Sequence, residues 1–375
     1  MQEEKNSPPR EIYINDKEDK ENVVNKFSKR NKFLVIIISS LFTIGFLVGI
    51  YWWSQKNFPP FLQKFSNEEN QIKVIKEEPK FPSLLTGELV PKERANLRPF
   101  AIVIENHPEA RPQSGLSEAG LVYEAITEGG ITRYLAFFDE LPDKIGPIRS
   151  ARIFFVDWAK EIPAFFVHCG GNAVALEKIK KLDNFFDLDE FAFGNYFWRD
   201  STRYAPHNLY TSKKLLNQLV SDKGWEKNLN YPSFSFKDDE EEAKRGDFRK
   251  ATIYFSSKTY EVSYVYDKSS NTYKRYLAGE PHKDLDGKEI NVKNVVLANY
   301  SGYQFKSGNS ISWFLETDKG GRATILLDGK KIEGSWQKGD DSRTRFFDEN
   351  GEEIRFNRGN TWIEALAPTI DFLIE

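Results

Sequence analysis

Residues that form covalent or metal cross-links are scarce in this sequence. Its one cysteine, Cys169, rules out an intramolecular disulfide and a cysteine-based metal cluster. The four histidines, His107, His168, His207 and His282, show no H-x-x-x-H or H-E-x-x-H spacing. No complete catalytic or cofactor motif occurs either. We therefore predict no catalytic residue and no cofactor, and no metal site unless residues distant in sequence converge in the fold.

A large net charge of one sign is also absent. The 53 lysines and arginines nearly balance the 56 aspartates and glutamates, which leaves a formal net charge of −3. Bulk charge therefore indicates neither nucleic acid nor an acidic membrane surface as a partner. Aromatic residues are abundant by contrast, at 14%, with 30 Phe and 16 Tyr. That composition is typical of packed β-sheets.

Residues 33–53 form an uncharged apolar run of 21 residues, long enough to cross a bilayer as a helix. Four basic residues precede the run between positions 26 and 32, whereas only Lys56 follows it closely. Because basic residues are retained on the cytoplasmic side, the N-terminus is predicted to be cytoplasmic and the rest of the chain to lie outside. The predicted location is the cytoplasmic membrane, with one spanning helix.

Two other interpretations of this run fit less well. A cleaved signal peptide has a shorter apolar region and a small-residue cleavage site, whereas this run starts late and ends in Tyr51, Trp52 and Trp53. A lipoprotein signal needs a cysteine directly after the apolar region, and Cys169 is far away.

Composition on either side of the run predicts how the chain is divided. Residues 1–32 have mixed charges and little apolar content, as in a disordered segment, and residues 54–83 contain four prolines, as in a spacer. The predicted organisation is a disordered cytoplasmic tail (1–32), a transmembrane helix (33–53), a spacer (54–83), an α/β domain (84–230), a charged linker (231–250) and a β-rich domain (251–375).

The fold prediction rests on hydrophobic spacing. In the first predicted domain, short apolar runs indicate strands, and residues 150–162, 172–182 and 211–220 have apolar residues at helical spacing. Asn172 and Thr211 are the expected N-caps of the second and third helices. After residue 250, strand-like runs follow one another with turns between them. We predict an α/β domain with a mixed sheet and helices, followed by an antiparallel all-β domain.

Four polar stretches in the predicted α/β domain contain more arginine and glycine than strand packing needs. They are NHPEARPQSGLSEAG (106–120), EGGITRY (128–134), IGPIRSAR (145–152), and VHCGG (167–171) with WRDSTRYAPHNLYTS (198–212). A guanidinium group binds carboxylate or phosphate with two parallel hydrogen bonds. We predict an anion-binding site made of Arg111, Arg133, Arg149, Arg152, His168, Arg199, Asp200, Arg203, His207 and Asn208.

Two alternatives use the same residues differently. In the first, the arginines pair with carboxylates in networks that only stabilise the fold, the candidates being Glu105, Glu124, Glu128, Asp139 and Asp200. In the second, the protein is a hydrolase or transferase that acts on envelope glycan or peptide, with Glu124, Glu128, Asp200 or His207 as acid–base groups.

Taken together, NHPEARPQSGL, EGGITRYLAFF, IGPIRSAR and RDSTRYAPHNLYTS resemble the YerB-like family of bacterial extracytoplasmic proteins. KKIEGSWQKG and GNTWIEALAP resemble that family's separate C-terminal domain, so the resemblance covers residues 84–375. It implies a two-domain envelope protein and supplies no catalytic residues. Its polar signature is matched by Arg133, Arg149, Arg152, Asp200, His207 and Asn208. Lipid-anchored members would use a lipobox cysteine, where this chain has the apolar run.

The leading hypothesis is therefore a membrane-anchored binding module of the cell envelope that holds a wall fragment, a phosphate-bearing polymer or a carboxylate ligand. Its expected partners are the membrane and a cell-wall ligand or envelope protein, and not nucleic acid. A structural interaction protein without a ligand pocket is the third hypothesis.

The predicted orientation determines which residues an external protease reaches. When protease is added to intact cells stripped of their outer wall barrier, we expect residues 84–375 to be degraded and an epitope placed before residue 33 to survive. Immunoblotting with permeabilised cells as the control checks this. Protection of the large C-terminal part in intact cells would contradict the orientation.

Overall fold

The computed structural model of the chain describes residues 45–53, 56, 79–307 and 310–375. Residues 45–53 are helical, and residues 33–44 of the predicted transmembrane helix lie outside the described residues, as do the predicted tail and most of the predicted spacer. Within the described residues, no helix combines the length and the apolar character needed to cross a membrane. Residues 78–375 form one compact unit.

The strands of this unit are short and lie along its whole length. The first half contains β1 (Lys80–Pro82), β2 (Leu89–Pro91), β3 (Phe100–Glu105), β4 (Leu121–Ile126), β5 (Thr132–Phe138), β6 (Phe165–His168), β7 (Phe186–Asp189), β8 (Trp198–Arg199), β9 (Leu209–Tyr210) and β10 (Ser235–Lys237). The second half contains β11 (Lys250–Tyr254), β12 (Glu261–Asp267), β13 (Thr272–Leu277), β14 (Glu280–Pro281), β15 (Asn291–Val292), β16 (Asn294–Asn299), β17 (Gly302–Ser307), β18 (Ser310–Leu315), β19 (Gly321–Leu327), β20 (Lys330–Lys338), β21 (Thr344–Asp348), β22 (Arg355–Asn357), β23 (Thr361–Leu366) and β24 (Asp371–Ile374).

The helices of this unit, within the described residues, all precede residue 230. They are α1 (Lys92–Ala95), α2 (Ile153–Glu161), α3 (Ala173–Lys180), α4 (Glu190–Phe193) and α5 (Lys213–Asp222). Short 3-10 turns occur at Pro108–Ala110, Leu116–Glu118, Gly194–Tyr196, Glu242–Lys244 and Lys258–Tyr260.

The three predicted helices are present with slightly different ends. Asn172 caps α3 as expected, because its side chain accepts from the Ala175 N–H at 3.0 Å. The expected cap at Thr211 is wrong by one residue, since Ser212 caps α5 by accepting from the Leu215 N–H at 3.2 Å. The backbone of Thr211 instead pairs with Ile145, and this pairing delays the helix start.

One ten-stranded sheet joins the two predicted domains, in the order β21-β20-β19-β16-β23-β4-β5-β3-β6-β7. The junction is the parallel pair of β4 and β23, in which Leu121 lies opposite Thr361 and Ala125 opposite Ala365. Strands β3, β4 and β5 are buried along their whole length, which explains why their sequences are nearly continuous apolar runs. The core of both halves is therefore continuous across the junction.

The sheet is mixed, as predicted for the first half, because β3 pairs antiparallel with β5 and parallel with β6. The prediction of a wholly antiparallel second half is wrong at β16, which pairs in parallel with β23. Six strands separate β16 from β23 in sequence, and such a long connection can return the chain in the same direction, which a hairpin cannot do. The remaining strands of the second half include a separate antiparallel sheet, β14-β13-β12-β11-β24, with β15 beside β13.

Residues 231–250, the predicted linker, contain a strand and contacts with the second half. β10 pairs in parallel with β22, and the buried Phe234 ring packs against Phe346 and Phe356. Lys237 Nζ lies 2.5 Å from Asp328 Oδ2 and 2.6 Å from Asn357 Oδ1. Part of the charge in this segment is therefore paired inside the fold.

Two carboxyl groups lie side by side at the sheet junction. Glu124 on β4 and Glu364 on β23 are opposite each other in register, and both are fully buried. Arg275 on β13 donates from Nη2 to Glu124 Oε2 and lies 3.9 Å from Glu364 Oε1. Burial, together with the neighbouring Glu124, raises the pKa of Glu364 well above its usual range. A proton on Glu364 thereby relieves the repulsion between the two groups.

Arg275 also connects the second sheet with the first half of the chain. Its Nη1 lies 2.5 Å from His282 Nδ1, and its guanidinium lies 4.6 Å from the centre of the Trp362 ring. Burial lowers the pKa of His282 well below its usual value, which leaves a neutral ring that accepts this hydrogen bond. His282 Nε2 in turn contacts Gln113 Oε1 at 3.1 Å. One buried guanidinium therefore holds together groups from both predicted domains.

Replacing Arg275 with methionine should strongly destabilise the protein. The change leaves Glu124 buried without its positive partner, which typically costs roughly 3–5 kcal/mol of unfolding free energy. Chemical denaturation followed by tryptophan fluorescence and circular dichroism measures this, and we expect one transition for both halves because they share a sheet.

The matched control for this variant is Lys274→Met, one residue away on the same strand. Lys274 pairs with Asp267 at the surface at 3.1 Å, so its loss should cost less than about 1 kcal/mol. Equal losses in the two variants would show that the buried pair has no special importance.

Candidate functional site

Alternation along β3 and β5 places two sets of polar side chains on opposite faces of the sheet. On one face, Asn106 Nδ2 donates to Thr132 Oγ1 at 2.7 Å and to Glu124 Oε1 at 3.2 Å. Glu105 and Arg133, the sequence neighbours of Asn106 and Thr132, are opposite each other in register. Because successive side chains of a strand point to opposite faces, Glu105 and Arg133 lie on the other face. They form the centre of an arginine cluster, defined here as Glu105, Glu128, Arg133, Arg149 and Arg152.

Glu105 is the buried hub of this cluster. Its Oε2 accepts from Arg149 Nε, its Oε1 lies 3.6 Å from Arg133 Nε, and its Oε1 also accepts from the backbone N–H of Asn106 at 3.1 Å. Burial by itself would raise the pKa of Glu105, but the charges of Arg133 and Arg149 outweigh it and hold the pKa below its usual value. Glu105 is therefore ionised at neutral pH.

Glu128 lies in the turn after β4 and directly precedes Gly129 and Gly130. These two glycines adopt φ values of 62° and 77°. Arg152 binds it with two hydrogen bonds, from Nε to Oε2 at 2.7 Å and from Nη2 to Oε1. Arg133 Nη2 donates to the same Oε1 at 2.6 Å. Burial opposes ionisation, yet these two arginines lower the pKa of Glu128 to about 2.

Arg133 has more hydrogen-bonding capacity than its partners use. Its side chain is 3% exposed, and Nε and Nη1 have no hydrogen-bond partner among the described residues. The cluster contains three guanidinium groups and two carboxylates, which leaves one positive charge in excess. An excess of buried positive charge favours the approach of an anion.

The other predicted arginines mostly hold backbone segments in place. Arg111 donates to the carbonyl oxygen atoms of Asn106 and Thr259, each at 2.9 Å. Arg203 donates to the carbonyl oxygen atoms of Ala110 and Pro112. These two residues therefore link loops, and the structure supports a structural role for them.

Asp200, Asn208 and His168 are also satisfied internally. Asp200 accepts from Lys144 Nζ at 2.6 Å, and Asn208 Nδ2 donates to the Asp200 carbonyl oxygen at 3.2 Å. His168 is buried and uses both ring nitrogen atoms, with Gly170 O at 2.8 Å and Asp187 Oδ1 at 2.6 Å. His207, by contrast, lies beside the cluster, with Nδ1 3.7 Å from Glu105 Oε2.

A cleft of about 710 Å³ opens at the carboxyl ends of β6 and β7, next to the cluster. It is lined by Arg149, Lys180, Arg199, Asp187, Asp189 and the exposed Phe191, among others. Sheets with parallel strands commonly bind their ligands at this end. We call it the strand-end cleft.

A second cleft, of about 610 Å³, lies between Gly115, Pro142 and Leu285. Its lining has five acidic residues and only three lysines. The acidic residues are Glu118, Glu140, Asp143, Asp284 and Asp286, and the lysines are Lys144, Lys213 and Lys288. This acidic lining does not suit an anion, so the strand-end cleft is the better candidate site.

The structure thus brings together Arg133, Arg149, Arg152 and His207, and it adds Arg199 at the cleft. Sequence reasoning missed Lys180, although its position on the helix after the VHCGG stretch was a usable signal. It also missed Arg275, because the strand that carries it was assigned to a separate domain. The arginines also pair with Glu105 and Glu128, as the alternative of a stabilising arginine–carboxylate network predicted.

The fold and the site define a class of two-part proteins in which an α/β half and a β-rich half share a mixed sheet. Two family models match the chain, described as "Protein of unknown function (DUF3048) N-terminal domain" over residues 85–226 and "Protein of unknown function (DUF3048) C-terminal domain" over residues 251–363. The chain belongs to this family, the YerB-like family, which confirms the resemblance seen in its motifs.

A curated relative and a solved structure agree with this assignment. The chain is 30% identical over 299 residues to "Putative lipoprotein YerB" of Bacillus subtilis (strain 168), covering 78% of this chain and 88% of the relative. The crystal structure of YerB protein from Bacillus subtilis matches with a TM-score of 0.71 and 29% identity, over 78% of this chain and 100% of that chain.

The low pKa of Glu128 predicts how the protein responds to acid. Its pKa of about 2 in the folded state is below the value of 4.5 usual for a glutamate, so ionised Glu128 stabilises the fold above about pH 4.5. This contribution is lost as the pH falls toward 2. Between pH 5 and pH 2 we expect the wild type to lose about 3 kcal/mol more unfolding free energy than Glu128→Gln.

Urea denaturation across this pH range measures the difference in slope. Glu93→Gln is the control, because Glu93 is exposed and forms no ion pair within the described residues. This control should retain the wild-type slope. Parallel pH curves for the wild type and Glu128→Gln would contradict the role assigned to Glu128.

Proposed function

We propose that this protein is a membrane-anchored, extracytoplasmic binding module of the bacterial cell envelope that holds an anionic ligand in the strand-end cleft. A wall fragment or a phosphate-bearing polymer is the kind of ligand that the cleft suits. Arg149 is the residue that carries the proposal.

Arg149 is both held in place and available. Its Nε donates to Glu105, whereas its two terminal nitrogen atoms have no partner among the described residues. Its side chain is 23% exposed and lines the cleft. A guanidinium group fixed at one nitrogen loses little further freedom when it binds a ligand, and this preorganisation favours affinity.

The other charges of the cleft strengthen this argument. Lys180 is exposed and has no ion pair within the described part of the chain. Arg199 donates from Nη1 to Asn208 Oδ1 at 3.1 Å, and its carboxylate contact within the described residues is a distant one, 3.9 Å from Glu190. The acidic groups are already engaged, because Asp187 binds His168 and Asp189 accepts from the Gly170 N–H at 2.8 Å. The lining therefore has three cations against two hydrogen-bonded carboxylates, a net excess of one positive charge.

The envelope location is supported by the relative and by the apolar run. The Bacillus subtilis relative carries the description "Putative lipoprotein YerB", and lipoproteins are tethered to a membrane by lipid. In this chain the uncharged residues 33–53 would provide the anchor in a different way. Both anchors would hold the folded part at the outer face of the membrane.

The three carboxyl groups of the enzyme hypothesis, as distinct from His207, are poorly suited to proton transfer at neutral pH. Glu124 is fully buried against Arg275, and Glu128 has a pKa of about 2. Hydrogen bonds from Lys144 and Thr202 hold the pKa of Asp200 well below its usual range. Because a general acid works best with a pKa near the ambient pH, the geometry favours binding over hydrolysis or group transfer.

Titration with inorganic polyphosphate, and with polyglutamate as a carboxylate probe, tests the proposal. We expect Arg149→Gln and Lys180→Gln each to weaken binding about tenfold, the effect of losing one charge-assisted contact. Lys214→Gln is the matched control, because Lys214 is exposed on α5 and does not line the cleft. Calorimetry measures the binding, and thermal unfolding of each variant is recorded alongside.

Lys180→Gln removes no ion pair, so a change in its affinity cannot be attributed to misfolding. If the parent protein binds neither polymer and Arg149→Gln shows a large drop in melting temperature, the cluster serves only the fold. Preference for one polymer over the other identifies the anionic group that is recognised.

A further inference from the structure

Three side chains that suit a metal ion converge near the arginine cluster. His107 and Glu109 flank the start of the 3-10 turn Pro108–Ala110, and His207 comes from the loop between β8 and β9. One nitrogen or oxygen atom from each lies within 4.8 Å of the other two. The sequence shows no metal-ligand spacing here, because His207 is far along the chain from His107.

We propose that His107, Glu109 and His207 bind a divalent first-row transition metal ion such as Zn²⁺. Two imidazole groups and one carboxylate are a ligand set that suits zinc, whereas calcium and magnesium prefer oxygen ligands alone. This inference is independent of anion binding, because its ligand is a cation and its ligating residues are not those of the strand-end cleft.

His207 has the orientation that a metal-binding histidine requires. Its Nε2 lies 3.7 Å from Glu109 Oε2, and its Nδ1 lies 3.7 Å from Glu105 Oε2 on the other side of the ring. Metal-binding histidines usually donate their second ring N–H to a carboxylate, which fixes the tautomer. A small shift of the ring would bring Nδ1 within hydrogen-bond distance of Glu105, and Nε2 then presents its lone pair toward Glu109.

In the described part of the structure, neither the metal site nor the supporting hydrogen bond of His207 is formed. The residue is 9% exposed, and its Nδ1 is buried without a hydrogen-bond partner among the described residues. A buried ring nitrogen without a partner is costly, and a metal ion on Nε2 that draws the ring into position for a hydrogen bond from Nδ1 to Glu105 would recover part of that cost.

His107 and Glu109 can adjust to complete the site. The His107 Nδ1 accepts a long hydrogen bond from the Glu109 N–H, at 3.3 Å, so its Nε2 is available. The side chain of Glu109 is 71% exposed, and its one ion-pair contact within the described residues is with His207. Neither residue is fixed by the protein core.

Metal binding also requires a change in the packing of the two histidine rings. The rings of His107 and His207 are stacked, with centres 4.3 Å apart and planes 13° apart. A metal ion lies in the plane of each ring that binds it, and two parallel planes do not share such a point. The partly exposed His107 ring must therefore turn out of the stack, and the two histidines and Glu109 then leave a fourth zinc position open for water or another group.

Zinc binding to the full-length, untagged protein tests the proposal. After chelator treatment, Zn²⁺ is titrated in competition with a chromophoric chelator, and Co²⁺ is used to report the coordination geometry. We expect one ion per chain and a visible Co²⁺ spectrum typical of four ligands. We expect Glu109→Gln and His107→Gln each to weaken Zn²⁺ binding by roughly 10- to 100-fold or more. Losing a residue that only supports a metal ligand already has an effect of this size.

Three controls make the outcome decisive. Cys169→Ser removes the only thiol, Glu93→Gln removes an exposed carboxylate elsewhere, and Lys214→Gln removes an exposed cation on α5; all three should retain wild-type affinity for Zn²⁺. Because His107 and Glu109 lie at the surface, their variants should keep the wild-type circular dichroism spectrum. Absence of binding, or binding that these two substitutions leave unchanged, would overturn the proposal.

Discussion

The pairing of buried charge across the β4–β23 junction is the constraint on which the rest of the structure depends. Arg275 is fully buried, and Glu124, which is equally buried, is its closest carboxylate partner. The two residues come from different predicted domains and from different sheets. Because neither can be buried alone at acceptable cost, the second sheet must dock against the first half before either charge is satisfied.

The same principle shapes the opposite face of the sheet, with a different result. Glu105 and Glu128 are matched there by three arginines, so the pairing is complete for the carboxylates and incomplete for the guanidinium groups. The structural hypothesis and the binding hypothesis therefore do not exclude each other. Arg152 mainly serves the fold through Glu128, whereas Arg149 uses one nitrogen for the fold and lines the strand-end cleft with a side chain whose other nitrogen atoms have no partner among the described residues.

Glu105 lies at the point where the two proposed sites meet. It holds Arg149 on one side and faces His207 on the other. A proton or a metal ion on His207 would change the electrostatic environment of Glu105, and through it that of Arg149. Anion binding and metal binding are thus physically adjacent, although each is carried by different residues.

Much of the local structure could be predicted from the sequence, because it depends on neighbouring residues. Continuous apolar runs identified β3, β4 and β5, helical spacing identified α2, α3 and α5, and Asn172 was recognisable as a cap. The expected cap at Thr211 failed because the backbone of that residue pairs with Ile145, a contact that no local pattern reveals. The antiparallel prediction failed at β16 for a similar reason, since its partner β23 is distant in sequence.

The sequence by itself determined the family, the elements and the residue types of the site. The arginine-rich motifs indicated where charge would gather, because such motifs are contiguous in the chain. Only the tertiary structure decided which arginines are paired and which are available, since Glu105, Glu128 and Arg149 meet through strand register and a turn. It also decided that the two halves share one sheet and that His107 and His207 stack. These are long-range contacts, and their energies depend on burial, which hydrophobic spacing does not specify.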